Sequence, residues 1–180
     1  MHMSSPIRFK FAPAKALSAI HWMVRQKPGL DLHAMLKSCY FGDKELLNSE
    51  GQPIFGATYR AMRFGPVPLE IYEMAKGEAL WLAETGVERF PWRLDGFRLQ
   101  LAANSEPDLS VFSPADFAAL EIGFERSRTM NFTERTAATH GADWQAAALG
   151  TMRYEDMLND TPEKPATIAY LEQAAPIMRL

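Results

Sequence analysis

Apolar residues recur at helical spacing over residues 14–26 (AKALSAIHWMVRQ), with Leu17, Ile20 and Val24 on one face and Ala16 and Met23 beside it. That recurrence predicts an amphipathic helix, which Lys27-Pro28-Gly29 stops. A second helix is expected after Asp31, a favoured N-cap type. Its apolar stripe runs Leu32, Met35, Leu36, Cys39, Tyr40, Asp43, Leu47, and Gly51 ends it. Lys37, Lys44 and Glu45 fall on its outward face. Residues 54–64 (IFGATYRAMRF) read as extended, weakened at Gly56. Gly65-Pro66-Val67-Pro68 should end that strand, because two prolines remove donors and fix φ. A short helix over 68–80 follows, with Leu69, Tyr72 and Leu80 inward.

Residues 88–101 (ERFPWRLDGFRLQL) carry the clearest hairpin signal, with Asp95-Gly96 as the two-residue turn. That register sets Arg93 opposite Arg98, and like charges directly opposite are destabilising. Either neighbouring acids neutralise the pair, or the pair faces an anionic partner. Residues 113–130 form the best-marked helix, with Ser113 as N-cap, Pro114 as first helical residue and Asp116 as first-turn acid. Thr133 is expected to cap a stretch toward His140; residues 142–149, 152–158 and 165–178 also read as helical. Residues 102–112 and 162–165 read as loops. The expected fold class is α+β and mostly helical, with helices packed around a small antiparallel sheet or hairpin. The whole of 1–180 reads as one domain with a flexible N-terminus over 1–12, and His2-Met3 reads as a cloning scar ahead of a start at Met3.

Composition narrows the class. The chain is 47% hydrophobic and 23% charged, which suits a packed core. It has no run of about 18 apolar residues, the length a membrane helix needs. The first residues carry no apolar signal core, so a cytoplasmic protein is expected. One cysteine, Cys39, allows no internal disulfide and reads as a small buried hydrophobe. Net charge is −3, split as +4 over residues 1–76 and −7 over 77–180. This balance argues against general coating of nucleic acid.

No catalytic or metal-binding pattern emerges, so neither enzyme activity nor a cofactor is expected. His2, His21, His33 and His140 are scattered, no thiolate pair exists, and no phosphate-binding glycine loop occurs. Asp43 stands out because a carboxylate on a core-facing stripe must find a partner. It either fastens its helix to the strand, through Arg60 or Arg63 or through hydroxyl or backbone donors near the Tyr59–Gly65 strand, or acts as a general base. The Gly-Pro-Val-Pro segment is a rigid turn or a stiff recognition corner beside Arg63 and Phe64.

An ordered set then becomes specific. It comprises Leu36-Lys37, Tyr40-Phe41, Asp43, Gly51, Pro53-Ile54, Gly56, Tyr59, Ala61 and Gly65-Pro66-Val67. Thr139-His140 and Trp144 follow. This set resembles the Panacea domain of SocA-like antitoxins over roughly residues 14–145. Cys39 stands where that pattern more usually has a leucine. The resemblance implies a bacterial antitoxin that binds and neutralises a co-encoded toxin. It also implies a second role, as an adaptor presenting the toxin to an AAA+ protease such as ClpXP. Tyr40, Asp43, Tyr59, Gly65, Pro66, Thr139 and Trp144 are then structural, and Arg60, Arg63, Phe64 and His140 are expected to meet the partner, since arginine and aromatic side chains commonly anchor interfaces. The alternative is a DNA-binding regulator, with residues 14–48 as a helix–turn–helix and the later hairpin as a wing. Its recognition face, Lys37, Lys44 and Glu45, is poor for reading bases.

Overall fold

A computed structural model describes residues 6–180, so the expected scar at His2-Met3 lies outside the described residues. Of the stretch expected to be flexible, residues 6–12 lie against the fold. Ile7 is buried and its N–H donates to Glu155. Phe9 meets Tyr154 edge-on, and Phe11 meets Trp81 in the same way.

Helix α1 (Pro13–Gln26) forms where the apolar spacing places it, with Ile20, Met23 and Val24 fully buried. A two-residue strand, β1 (Leu30–Asp31), leads directly into α2 (Leu32–Glu50). The Asp31 carboxylate caps α2 by accepting from the Ala34 N–H. All seven residues of the expected α2 stripe are buried.

Of the expected outward face of α2, Lys37 is covered, at 1% exposed, while Lys44 is half-buried and Glu45 exposed. Helix α5 (Pro114–Arg128), strand β3 (Gly65–Pro68), α3 (Leu69–Ala75) and α6 (Phe132–Ala138) all pack on α2. The Ser127 hydroxyl of α5 donates to the Ala34 carbonyl at 2.7 Å, and the Arg126 guanidinium lies over the Phe41 ring. What α2 leaves exposed, Glu45, Ser49 and Glu50, is a poor face for a DNA groove, which argues against α2 as a recognition helix.

Gly65-Pro66-Val67-Pro68 does not break the strand but returns it. Strand β2 (Tyr59–Met62) pairs antiparallel with β3, Tyr59 opposite Pro68 and Met62 opposite Gly65. Arg63-Phe64 is therefore the turn. The two prolines alternate with the ladder donors, so neither removes a hydrogen bond; the next donor, the Leu69 N–H, bonds the Thr58 carbonyl at 2.9 Å. The extended stretch is shorter than expected because Ile54 and Phe55 give their N–H groups to Asp43 instead of to a neighbouring strand. The helix expected over 68–80 is two, α3 and α4 (Ala79–Thr85), separated by a turn at Lys76-Gly77. That break turns Leu80 outward, to 56% exposure, where an inward position was expected.

The later hairpin is present with a different register. Strands β4 (Trp92–Asp95) and β5 (Arg98–Leu101) turn through Gly96-Phe97. Both registers put the same residues on the same faces, so apolar patterning does not separate them. Two things do. Gly96 has φ +61° at the first turn position, where glycine is favoured. Arg98 then stands opposite Asp95, and Arg93 opposite Gln100. The expected Arg93–Arg98 clash does not arise. Strand β1 adds to β5, with Asp31 also opposite Arg98, giving a three-stranded sheet in the order β1-β5-β4.

Ser113 and Asp116 form a reciprocal capping box on α5, and Lys15 pairs with buried Asp116 at 2.7 Å, tying α1 to α5. Asn131, not Thr133, caps α6: its side chain reaches the Glu134 N–H three residues on. Helices α7 (Ala142–Ala146), α8 (Tyr154–Met157) and α9 (Lys164–Ala174) complete the chain. The architecture is α+β and mostly helical. Among the described residues, no helix is long and apolar enough to cross a membrane.

Candidate partner-binding site

Asp43 is fully buried. Its Oδ1 accepts from the N–H groups of Ile54 (2.7 Å) and Phe55 (3.0 Å), and its Oδ2 from the Tyr59 hydroxyl (2.6 Å). Burial pushes its carboxyl up to about 7, against the downward pull of those three donors. Of the expected partners, Arg60 and Arg63 are exposed, and the hydroxyl and backbone donors make the tie instead, Tyr59 among them. Asp43 thus fastens α2 to the segment entering β2 through neutral donors. Tyr40 makes the matching tie on the other side: its hydroxyl donates to buried Asp143, which Lys44 also approaches at 3.2 Å.

The β2–β3 turn and the start of α6 expose a cluster of apolar side chains beside α2. Met62 is 40%, Phe64 47% and Phe132 43% exposed. Phe64 and Phe132 meet edge-on at 5.2 Å, Arg63 lies over the Phe64 ring, and the His33 ring packs on Phe132. These side chains border a groove of about 570 Å³, also lined by Leu36, Lys37 and Val67. Exposed apolar clusters of this kind mark interaction surfaces more often than isolated side chains do.

Below the groove lies a basic cluster. The Lys37 ammonium donates to the Pro66 carbonyl at 2.8 Å. His33 Nε2–H donates to the Phe64 carbonyl (3.0 Å), and its Nδ1 accepts from Arg135 Nε (3.1 Å); those partners assign the tautomer. Burial, with Lys37 nearby, holds His33 down at about 4, so it is neutral at pH 7. Burial, with Arg135 nearby, brings Lys37 down to about 7.

Thr139, His140 and Trp144 lock the hairpin from behind. Trp144 Nε1 donates to the Met62 carbonyl at 2.8 Å, and the His140 ring stacks on Trp144 at 3.8 Å. Gly65, at φ +114°, lies so close to Thr139 and Lys37 that a Cβ would overlap the Thr139 hydroxyl and stand 2.7 Å from Lys37 Cε. Beside β2, Ala148 and Leu149 hold left-handed φ values of 48° and 64°, and Leu149 is 59% exposed. The Gly150 carbonyl after them accepts from Ala61.

The fold therefore gathers the two distant parts of the motif around one hairpin. Arg60, Arg63 and Phe64 are exposed on it, while His140 is half-buried behind, its Nε2 without a hydrogen-bond partner among the described residues. Phe132, Arg135 and His33 were missed by sequence reasoning. The i, i+4 spacing of His33 and Lys37 on α2 was the available signal. Among the described residues, no three His, Cys, Asp or Glu side chains stand close enough to share a metal ion.

The family described as antitoxin SocA-like, Panacea domain, matches residues 35–145, more than half of the chain. The chain belongs to this family. Its span starts inside α2 and ends just after Trp144, enclosing the Asp43 tie, the β2–β3 hairpin and the elements that hold it. Membership in an antitoxin family implies a toxin as partner. No curated protein and no solved structure matches the chain.

Proposed function

We propose that this protein neutralises a co-encoded toxin by direct binding, using the surface around the β2–β3 turn. The observation that carries this reading is the exposed cluster of Met62, Arg63 and Phe64, with Phe132 of α6 against it, on a hairpin anchored from beneath by α2 and from behind by Trp144. Exposed aromatic and arginine side chains on a rigid support lose little freedom on binding. Arg60, Arg63 and Phe64 make direct contacts in this reading, and His140 supports them through Trp144.

The same reading includes an adaptor role, in which the bound toxin is handed to an AAA+ protease such as ClpXP. Its support is the charge split along the chain: the acidic half presents exposed Asp160, Glu163 and Glu172 on a stretch separate in sequence from the hairpin. Reconstitution with purified toxin, ClpXP and ATP tests both parts. Toxin should co-purify with the chain and be degraded faster in its presence. Failure to co-purify removes neutralisation by binding. Equal degradation rates with and without the chain remove the adaptor role alone.

A further inference from the structure

We propose that the groove between the β2–β3 turn and α6 takes an amphipathic segment of the toxin that seats one carboxylate, set among apolar side chains, over Lys37. This rests on the toxin-binding reading above and names the chemistry of the segment bound. The lining of Leu36, Met62, Phe64, Val67 and Phe132 calls for an apolar occupant. Charge selects its one polar group.

Lys37 lines the groove floor and has a single acceptor, the Pro66 carbonyl, although an ammonium offers three donors. Among the described residues, no carboxylate lies within 4 Å of its nitrogen. The charged and titratable groups around it are mostly of one sign or neutral. Arg135 reaches in from α6, Arg63 stands at the rim, and His33 is neutral. The acid on the lining, Asp31, is already engaged: it caps α2 and stands 3.7 Å from Arg135. A withdrawn ammonium without a counter-ion is unfavourable. An incoming carboxylate supplies the missing acceptor through a charge-assisted hydrogen bond. It would also raise the affinity of Lys37 for its proton, so binding should take up protons near pH 8.

The test titrates purified co-encoded toxin calorimetrically into the full chain and into Phe132→Ala, Lys37→Met and Tyr170→Ala. Tyr170 is exposed on α9 and lies outside the groove lining. Titrations in phosphate and in Tris at pH 8 read the proton uptake. Phe132→Ala and Lys37→Met should each weaken binding at least tenfold, Tyr170→Ala should bind within twofold of the parent, and Lys37→Met should abolish proton uptake. Wild-type affinity in both groove variants overturns the inference while leaving toxin binding intact. Unchanged proton uptake in Lys37→Met overturns the carboxylate seat. Absence of any complex with the parent chain removes the toxin-binding reading, and this inference with it. Self-association of the chain that disappears in Phe132→Ala would assign the groove to a second copy and overturn the proposal.

Discussion

Asp43 and Lys37 lie on the same helix and are both withdrawn from water, at 0% and 1% exposure. Their surroundings differ. Asp43 meets three donors, two from the backbone of residues 54–55 and one from Tyr59. Lys37 meets one carbonyl, with Arg135 nearby and, among the described residues, no carboxylate within 4 Å of its nitrogen, and it floors a groove bordered by exposed aromatic rings. A buried charge is unfavourable at both places. At Asp43 the fold answers both carboxyl oxygens with hydrogen-bond donors, so the group is a fastening even though burial raises its carboxyl to about 7. At Lys37 the answer is incomplete, and the shortfall sits where a partner can reach.

The strongest way to break the comparison is to remove the fastening. Asp43→Ala leaves three buried donors without an acceptor and should cost about 3–5 kcal/mol. The melting temperature should fall by on the order of 10 °C, read by calorimetry or circular dichroism. Asp43→Asn keeps the shape and should retain most of the stability. The pH dependence has a definite sign. The folded carboxyl titrates above its ordinary value of 3.8, at about 7, so the folded state holds the proton more tightly. The contribution of Asp43 is full below about pH 4 and is lost as pH rises to about 7. Asp43→Asn should therefore gain on the parent across that window.

Lys37→Met should act with the opposite sign. The folded ammonium titrates near 7, below its ordinary value of 10.5. The penalty for burying its charge is present below pH 7 and fades as pH rises toward 10.5. Replacing it with an apolar side chain should stabilise the protein by about 1–4 kcal/mol at pH 6, and denaturant melts at pH 6 and pH 10 should show the gain shrinking. A destabilised Lys37→Met would mean that the ammonium is a fastening like Asp43, and the contrast between the two would fail.

Much of the Asp43 region was legible in the sequence, because a carboxylate on an apolar stripe announces its own burial. Its partners were legible only as a choice between arginine and the hydroxyl or backbone donors near Tyr59–Gly65. Arginine offers charge, but Ile54 and Phe55 offered unpaired N–H groups closer by, and backbone donors leave no mark on residue identity. The Lys37 region was misread, since a lysine one position off a stripe ordinarily points to solvent. Here β3, α3 and α6 close over it, and those contacts join residues about thirty to a hundred positions apart. The β4–β5 turn shows the same limit in small: Asp95-Gly96 and Gly96-Phe97 are equivalent in apolar pattern, and cross-strand charge separates them. The Gly-Pro-Val-Pro strand was hidden because proline usually ends strands, and only its alternation with the ladder donors lets it stay.

Gly65 couples the hairpin to the Lys37 side. At φ +114°, a Cβ there would press on both Thr139 and Lys37. Gly65→Ala should cost about 1–3 kcal/mol through strain and displacement. Because the push falls on the groove floor, it should weaken toxin binding as well. Paired stability and affinity measurements check this, and a stability loss with unchanged affinity would show that hairpin and groove are independent.

The smallest effect on stability belongs to the exposed turn. Phe64 is about half in water, and its contacts are with Phe132 and Arg63 at the surface. Truncating it removes little area that folding had withdrawn from solvent, so Phe64→Ala should change stability by about 1 kcal/mol or less. On binding, the same ring would lose the rest of its contact with water, which is why the surface reading assigns it a large effect there. Toxin affinity should fall about tenfold while the melting temperature barely moves. Asp43→Asn should show no such loss of affinity, since its hydrogen bonds lie beneath the hairpin and not at its tip. If the two variants behave alike in both measurements, fastening and recognition are not divided along α2. If they separate, the division follows the number of partners each buried charge has found within its own chain.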